Sequence, residues 1–372
     1  MLLRRLFSFS MIVLALISGH AVRGQKKYSF QRPAMGSPFT ITIGTGDSLA
    51  AAQAADAAFQ LADKLNGILS DYLDSSEINR LSATSGQGRY VPVSLPLFDI
   101  LGRAQEAARL SEGSYDITIG PVVRLWRKAR KTGVPPGREE IAAALQRTGY
   151  RYVHLDTVHR SVWLEIPGMQ LDVGGLGKGF VAQAVLQQLR GAGFPVVLVN
   201  AGGKIVAGPP PVGRPGWIIG INAPGEKERL LPLLLSLRQT AVATSGDIYQ
   251  YVEWRGRRYS HIIDPRTGIG LTRRRNVTAI AGDGTTADWL ATACSVLSYR
   301  RALRLIRHFL GAALFITEMR HGRIIQKSSV NFKQYQLPDA PAHSTTSANL
   351  FHGGDPVDPV HRERVCSVFP RV

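Results

Sequence analysis

The chain has 372 residues, 44% of them hydrophobic and 19% charged, which is enough to bury a core as one large domain or two closely linked ones. A formal net charge of +18 favours anionic partners such as nucleotide phosphates, and two cysteines, Cys294 and Cys366, exclude a cysteine metal cluster. The basic clusters Arg273-Arg274-Arg275 and Arg300, Arg301, Arg304, Arg307 carry no interleaved aromatics, so they read as solvated faces and no nucleic-acid partner is expected.

The first 25 residues read as a targeting signal. Arg4-Arg5 precede an apolar run over 6–18 and a small-residue zone over 19–24, with cleavage expected between Ala21 and Gln25 by the Sec route. The run is too short for a membrane span, and no cysteine follows it to take a lipid.

Two strand-like pieces over 28–45 flank the break Ala34-Met35-Gly36-Ser37-Pro38, where glycine and proline let backbone pass close to something. A helix follows over 47–69, with Leu49, Ala52, Ala55, Phe59, Ala62, Leu65 and Leu69 as its apolar stripe. Tyr72 lies beside the next turn, where it either stacks on a ligand ring or shields a core edge. A second helix spans 97–110. Asp116 then precedes a short apolar strand or turn next to Gly113 and Gly120, which makes it a ligand candidate, and Trp126 packs. A helix over 139–148 and a hairpin from 152–156 and 161–166 come next.

The stretch 171–194 reads as a strand, a glycine-rich turn and an amphipathic helix starting near Lys178. Glycines let amides approach an anion, and a helix N-terminus with a lysine supplies positive potential. The loop is neither a Walker A sequence nor a dinucleotide fingerprint, because Gly179 replaces the Ser or Thr of the first and Phe180 the third glycine of the second. A plain strand-to-helix turn explains it equally well. A strand over 196–200 closes on Ala201-Gly202-Gly203, another place for close backbone approach, and 217–222 is a further strand. Ser245, in ATSGD, is not in a nucleophile elbow, and a short helix or extended run leads on to Trp254.

Residues 260–268, SHIIDPRTG, read as a strand ending in a fixed turn, with His261 at the strand end. Residues 276–281 form a buried strand, and Thr285 or Thr286 caps a helix with Asp288 in its first turn. Asp288 and Thr292 are four apart and share a face; carboxylate plus hydroxyl suits a hard cation such as magnesium, although helix initiation and core packing are the plainer roles. Cys294 reads as core, and no disulfide is expected. An amphipathic helix over 300–309 and a last strand over 313–318 precede a Pro-, Ser- and Gly-rich flexible tail from 338.

Eight motifs in order, MGS at Met35, LSDYLDSSEINRL at Leu69, GSYDITIGPVVRLW at Gly113, LDVGGLGKGF at Leu171, VNAGG at Val199, ATSGD at Ala243, SHIIDPRTG at Ser260 and ADWLATA at Ala287, resemble the FAD:protein FMN transferase family, also called ApbE. The resemblance runs from about Met35 to Leu310. It implies an exported, magnesium-dependent enzyme that splits FAD between its phosphates, joins FMN to a Thr or Ser of a partner flavoprotein and releases AMP. Some relatives use water instead, acting as FAD pyrophosphatases, and a non-catalytic flavin-binding protein is the rival outside catalysis.

By motif matching, the metal ligands would be Asp288, Thr292 and the carbonyl of Gly175, a position where the family usually has alanine or another small residue. Met35, Tyr72 and Asp116 would line the flavin; Lys178, Gly202, Gly203, Ser245 and His261 would line the pyrophosphate and reacting centre. His261 is the candidate for taking the acceptor hydroxyl proton, with Asp264 or Asp116 as rivals, or else it orients the turn. Gln183 and Lys204 stand where the family commonly has acids, a departure expected to add positive potential while leaving the metal set intact. The expected fold is α+β, with mixed or antiparallel sheets flanked by helices in two interlocked lobes and the site in the cleft. The expected organisation is a signal peptide over 1–25, a flavin transferase domain over 26–337 and the tail over 338–372, in a periplasm-facing protein that meets a membrane redox complex peripherally.

Overall fold

Phe39, Ile41 and Ile43 alternate with polar neighbours and bury one face of a strand. In the computed structural model, which describes residues 26–222, 230–246 and 250–337, that strand joins an eight-stranded sheet. The expected signal segment over 1–25 and the tail over 338–372, with Cys366, lie outside the described residues.

The strands are β1 (Lys26–Ala34), β2 (Ser37–Thr45), β3 (Val197–Ala201), β4 (Lys204–Ala207), β5 (Ala241–Gly246), β6 (Arg275–Ala281), β7 (Ala313–Arg320) and β8 (Arg323–Ser328). They lie side by side in sequence order, each antiparallel to the next. The helices are α1 (Ser48–Leu69), α2 (Glu77–Ser82), α3 (Leu95–Leu110), α4 (Gly120–Thr132), α5 (Arg138–Leu145), α6 (Gly177–Gly191), α7 (Gly284–Val296) and α8 (Tyr299–Ile306).

The sheet is covered on both faces. Ala241, Ala243, Val277, Ala279, Leu314 and Ile316 point into the main core with α1, α6 and α7, whereas Val242, Ile280, Ala313 and Phe315 face a hairpin of Trp217–Asn222 and Leu230–Leu237. Period-two alternation sends successive residues to opposite faces, so β5, β6 and β7 read as continuous apolar runs. A smaller cluster joins Val122 and Trp126 of α4, Ala144 of α5, and Val252 and Ile263 from the strands 251–254 and 263–264. There the Trp126 indole donates to the Gly268 carbonyl at 2.8 Å. The fold is α+β, as expected. Among the described residues no helix is long and apolar enough to cross a membrane.

Several expectations are corrected. The break at Met35-Gly36 is a two-residue hairpin turn in which both residues have positive φ (52° and 68°), so glycine serves the turn's conformation and a side chain there would meet nothing within 4 Å. Leu49 is 68% exposed, while Ala51 and Ala58 complete the buried stripe of α1. Residues 171–176 form a loop, with a single parallel bridge between Gln170 and Ile119. The chain after Asp116 enters α4, whose start is marked by a proline in its first turn, Pro121. Arg275 is buried and held by Glu318 at 2.7 Å and by the Leu297 carbonyl at 3.0 Å, so only its two neighbours form a solvated face. The cap of α7 is Asp283, which places Asp288 in the second turn. The strand over 313–320 is followed by β8. Cys294 is core, and burial pushes its thiol up to about 12.

Candidate active site

Helices α6 and α7 cross where both carry glycine. A Cβ on Gly179 would fall 2.1 Å from the Gly284 carbonyl oxygen, and one on Gly284 would fall 2.4 Å from that of Gly179. This close approach lets the Gly179 amide, a first-turn donor with no partner inside its own helix, donate to Asp288 Oδ2 at 3.0 Å. Among the described residues Asp288 Oδ1 is buried without a hydrogen-bond partner. Its neighbour is the Lys204 ammonium at 3.6 Å, an ion-pair distance. Burial pushes the Asp288 carboxyl up, and Lys204, the Gly179 amide and Lys178 oppose that shift. Gln183 accepts from the Gly284 amide at 3.0 Å, so a neutral side chain at that position serves the start of α7.

Of the 13 residues of α7, only Thr292 is not fully buried. Its hydroxyl lies 3.3 Å from the Gly175 carbonyl, 3.2 Å from the Asp288 carbonyl and 3.2 Å from the Ser245 hydroxyl. Gly175 admits no side chain without movement, because a Cβ would meet the Tyr115 ring at 2.8 Å. The Tyr115 hydroxyl is itself buried and unpartnered among the described residues, and burial together with Asp172 and Asp288 pushes it up.

The Thr292 hydroxyl and the Gly175 carbonyl, from α7 and the loop before α6, therefore meet in one place, with the Asp288 carboxylate one turn earlier on the same helix. The unused Oδ1, the hydroxyl and the carbonyl are hard donors of the kind a magnesium ion accepts, with water and phosphate completing its shell. Among the described residues no group of three His, Cys, Asp or Glu side chains could hold a metal.

The glycine-rich turns do less for an anion than their composition suggests. The amides of Gly174 and Gly177 donate to Asp172 Oδ1 and the Val173 carbonyl, both at 2.7 Å. Those of Gly202 and Gly203 donate to the Pro38 carbonyl at 3.1 Å and to Asn200 at 2.8 Å. Gly202-Gly203 is a hairpin turn between β3 and β4 with both φ positive (58° and 86°). A Cβ on Gly202 would meet the Ser37 hydroxyl at 2.6 Å and would stand 3.7 Å from the Lys178 ammonium. Positive charge here comes from lysine side chains. Burial and then Lys204 push the Lys178 ammonium down, and Asp288 opposes this.

His261 follows the strand Arg257–Ser260. Its Nδ1 donates to the Gln250 carbonyl at 3.1 Å, which leaves Nε2 as an acceptor. Desolvation, with Arg130, Lys204 and Lys178 nearby, lowers the imidazole to about 4, a shift that the ring's half-burial tempers. Asp264 is otherwise engaged: its oxygens take the Arg266 guanidinium at 2.9 and 2.8 Å and the Arg266 amide at 3.1 Å. Asp116 braces its loop, accepting from the Thr118 amide and hydroxyl and from the Tyr150 amide at 2.8, 2.7 and 3.0 Å. Met35 reaches the start of α6, its methyl 3.9 Å from where a Gly177 Cβ would stand. Tyr72 is 69% exposed, with the Arg127 guanidinium 3.8 Å over its ring.

Three features were not read from the sequence. Arg127 ties Asp71 at 2.5 Å and Asp172 at 3.1 Å beneath Tyr72, and burial with Asp172 raises Asp71 to about 6. Lys204 reaches the proposed ligand Asp288, so its departure from the family pattern touches the donor set it was expected to leave intact. Gln250 sets the tautomer of His261. The first two depend on partners far away in the chain, the third on a backbone carbonyl eleven residues upstream, and no local motif marks them.

A family model, the ApbE family, matches residues 35–316. The chain belongs to the ApbE family. It is 35% identical over 273 residues to a FAD:protein FMN transferase of Treponema pallidum (strain Nichols), covering 69% of this chain and 75% of that one. A FAD:protein FMN transferase of Klebsiella pneumoniae (strain 342) is 30% identical over 321 residues, covering 85% and 98%. The crystal structure of the ApbE protein from Thermotoga maritima superposes with a TM-score of 0.75 at 27% identity, covering 84% of this chain and 100% of that one. ApbE relatives thus span the sheet, the crossing of α6 and α7 and the His261 turn together.

Proposed function

We propose that this chain is a FAD:protein FMN transferase that moves FMN from FAD to a Thr or Ser hydroxyl of an acceptor flavoprotein and releases AMP. The observation that carries the reading is the Thr292 hydroxyl on the Gly175 carbonyl, one helical turn from the buried Asp288 carboxylate that the Lys204 ammonium approaches, in a chain of the ApbE family.

Phosphoryl transfer asks for alignment and charge neutralisation more than for covalent help. Met35 and Tyr72 line the flavin end, and Lys178 and Lys204 face the pyrophosphate. The acceptor oxygen bonds to the FMN phosphorus as the bridge to AMP breaks. The acceptor's proton passes to His261 Nε2, which its Nδ1 bond to Gln250 keeps in the accepting tautomer. Ser245 holds the Thr292 hydroxyl, and Asp264 and Asp116 hold their turns. A magnesium ion held by Asp288, Thr292 and Gly175 would supply further neutralisation of the phosphate charge. The signal-like residues 1–25 support an exported, periplasm-facing setting, with peripheral contact to a membrane redox complex.

Incubation with FAD, magnesium and a Thr-bearing acceptor tests the reading. AMP together with flavin-labelled acceptor is the expected result. AMP with free FMN alone would make the chain a pyrophosphatase, and intact bound FAD would make it a flavin carrier; either would overturn the proposal.

A further inference from the structure

The Lys204 ammonium is fixed beside the one carboxylate of the donor set. Its Nζ donates to the Thr244 carbonyl at 2.6 Å and lies 3.6 Å from Asp288 Oδ1, with the side chain only 14% exposed. Two features keep it there. Lys204 closes the Gly202-Gly203 turn and pairs with Ala243 of β5, so its backbone is set by the sheet on both sides. The Thr244 bond then aims its ammonium at α7. Asp288 Oδ1 has no other partner among the described residues, so the ammonium and any ion must share that oxygen.

Resting on the magnesium site proposed above, we propose that Lys204 is a tethered cation that occupies part of the charge environment of that site and weakens this chain's hold on Mg2+. Like charges a few ångströms apart repel strongly enough, even at the dielectric of a protein surface, to change ion affinity by tenfold or more. Displacing the ammonium would cost the short bond to the Thr244 carbonyl, so repulsion is not escaped by a free swing of the side chain. In exchange, Lys204 presents its ammonium to the pyrophosphate next to Lys178. Its role is to position and tune.

Calorimetric titration of the full chain with Mg2+ alone, repeated with Mn2+ followed by electron paramagnetic resonance, tests this. Lys204→Met keeps the stem and removes the charge; Lys204→Arg keeps the charge. The expected result is ion affinity at least tenfold tighter in Lys204→Met and within about twofold of the parent in Lys204→Arg, with both variants folded by circular dichroism at the titration temperature. An affinity in Lys204→Met within twofold of the parent, or weaker, overturns the proposal, as does absence of ion binding in parent and both variants. AMP release from FAD is read separately. If AMP forms while Lys204→Met leaves affinity unchanged, the transferase reading survives and the tethered-cation proposal falls; if affinity tightens but no AMP forms, the reverse holds.

Discussion

Gly179 and Gly284 meet backbone to backbone, each at a distance that forbids the other a side chain. Their contact delivers the Gly179 amide to Asp288, so packing of α6 on α7 and placement of the proposed ion ligand are one event.

Gly179→Ala should therefore lower stability by about 1–3 kcal/mol, the range for overpacking a close-packed core. It should weaken Mg2+ binding at the same time, by moving Asp288. Urea unfolding and metal titration of the same variant check this, and an unfolding midpoint equal to the parent's would count against the crossing as drawn.

Asp288→Asn keeps the side-chain volume and removes the charged donor. AMP release should fall by at least about 100-fold, with Mg2+ affinity falling in parallel. Unchanged turnover would remove Asp288 from the metal set.

Desolvation lowers His261 from its ordinary 6.5 toward about 4, so it is neutral near pH 7 and able to accept a proton. The acid limb of kcat/KM should lie below pH 6, displaced toward about 4. The unfolded chain binds the extra proton between the two values. The stability associated with His261 is therefore complete above about pH 6.5 and is lost as pH falls toward about 4. His261→Ala should cost about 100-fold or more in turnover and abolish that limb. A pH–rate profile through pH 4–8 decides; an acid limb near 6.5 in the parent would contradict the burial of this ring.

Arg127 separates two carboxylates, Asp71 and Asp172, that share little solvent. Arg127→Met should destabilise by about 3–5 kcal/mol at pH 8, because it leaves both charges buried and unpaired. Asp71 has its folded pKa raised to about 6, so protonation favours the fold and that contribution is lost as pH rises through about 6. The penalty in Arg127→Met should thus shrink below pH 6. Thermal melts at pH 5 and pH 8 would show it, and equal penalties at the two values would refute the electrostatic account.

Much of this was legible from local pattern. The alternation in 39–43 announced a strand, and the hairpin of 152–156 with 161–166 and the buried run at 276–281 were visible in the same way. The i, i+4 spacing put Asp288 and Thr292 on one helix face. Helix α4 escaped because the sequence of Asp116 to Gly120 was weighed as strand or turn and Pro121 was not taken as a helix start. Arg275 escaped because a run of three arginines looks uniformly solvated until Glu318 arrives from the neighbouring strand. The glycine loops looked like anion cradles because composition records amides without recording which carbonyls already hold them.

The sequence alone thus determined most of the elements and their order, and the residue types from which a phosphate and metal site could be made, since those follow from spacing along a strand or helix. Tertiary structure alone decided which polar atoms stay available. Asp288 Oδ2 is taken by an amide 109 positions away, the Thr292 hydroxyl meets a carbonyl 117 positions away, and Lys204 is brought to Oδ1 by strand pairing. The physical reason is that each donor bonds whichever acceptor the packed chain places within reach, and that choice is made by contacts no local window of sequence contains.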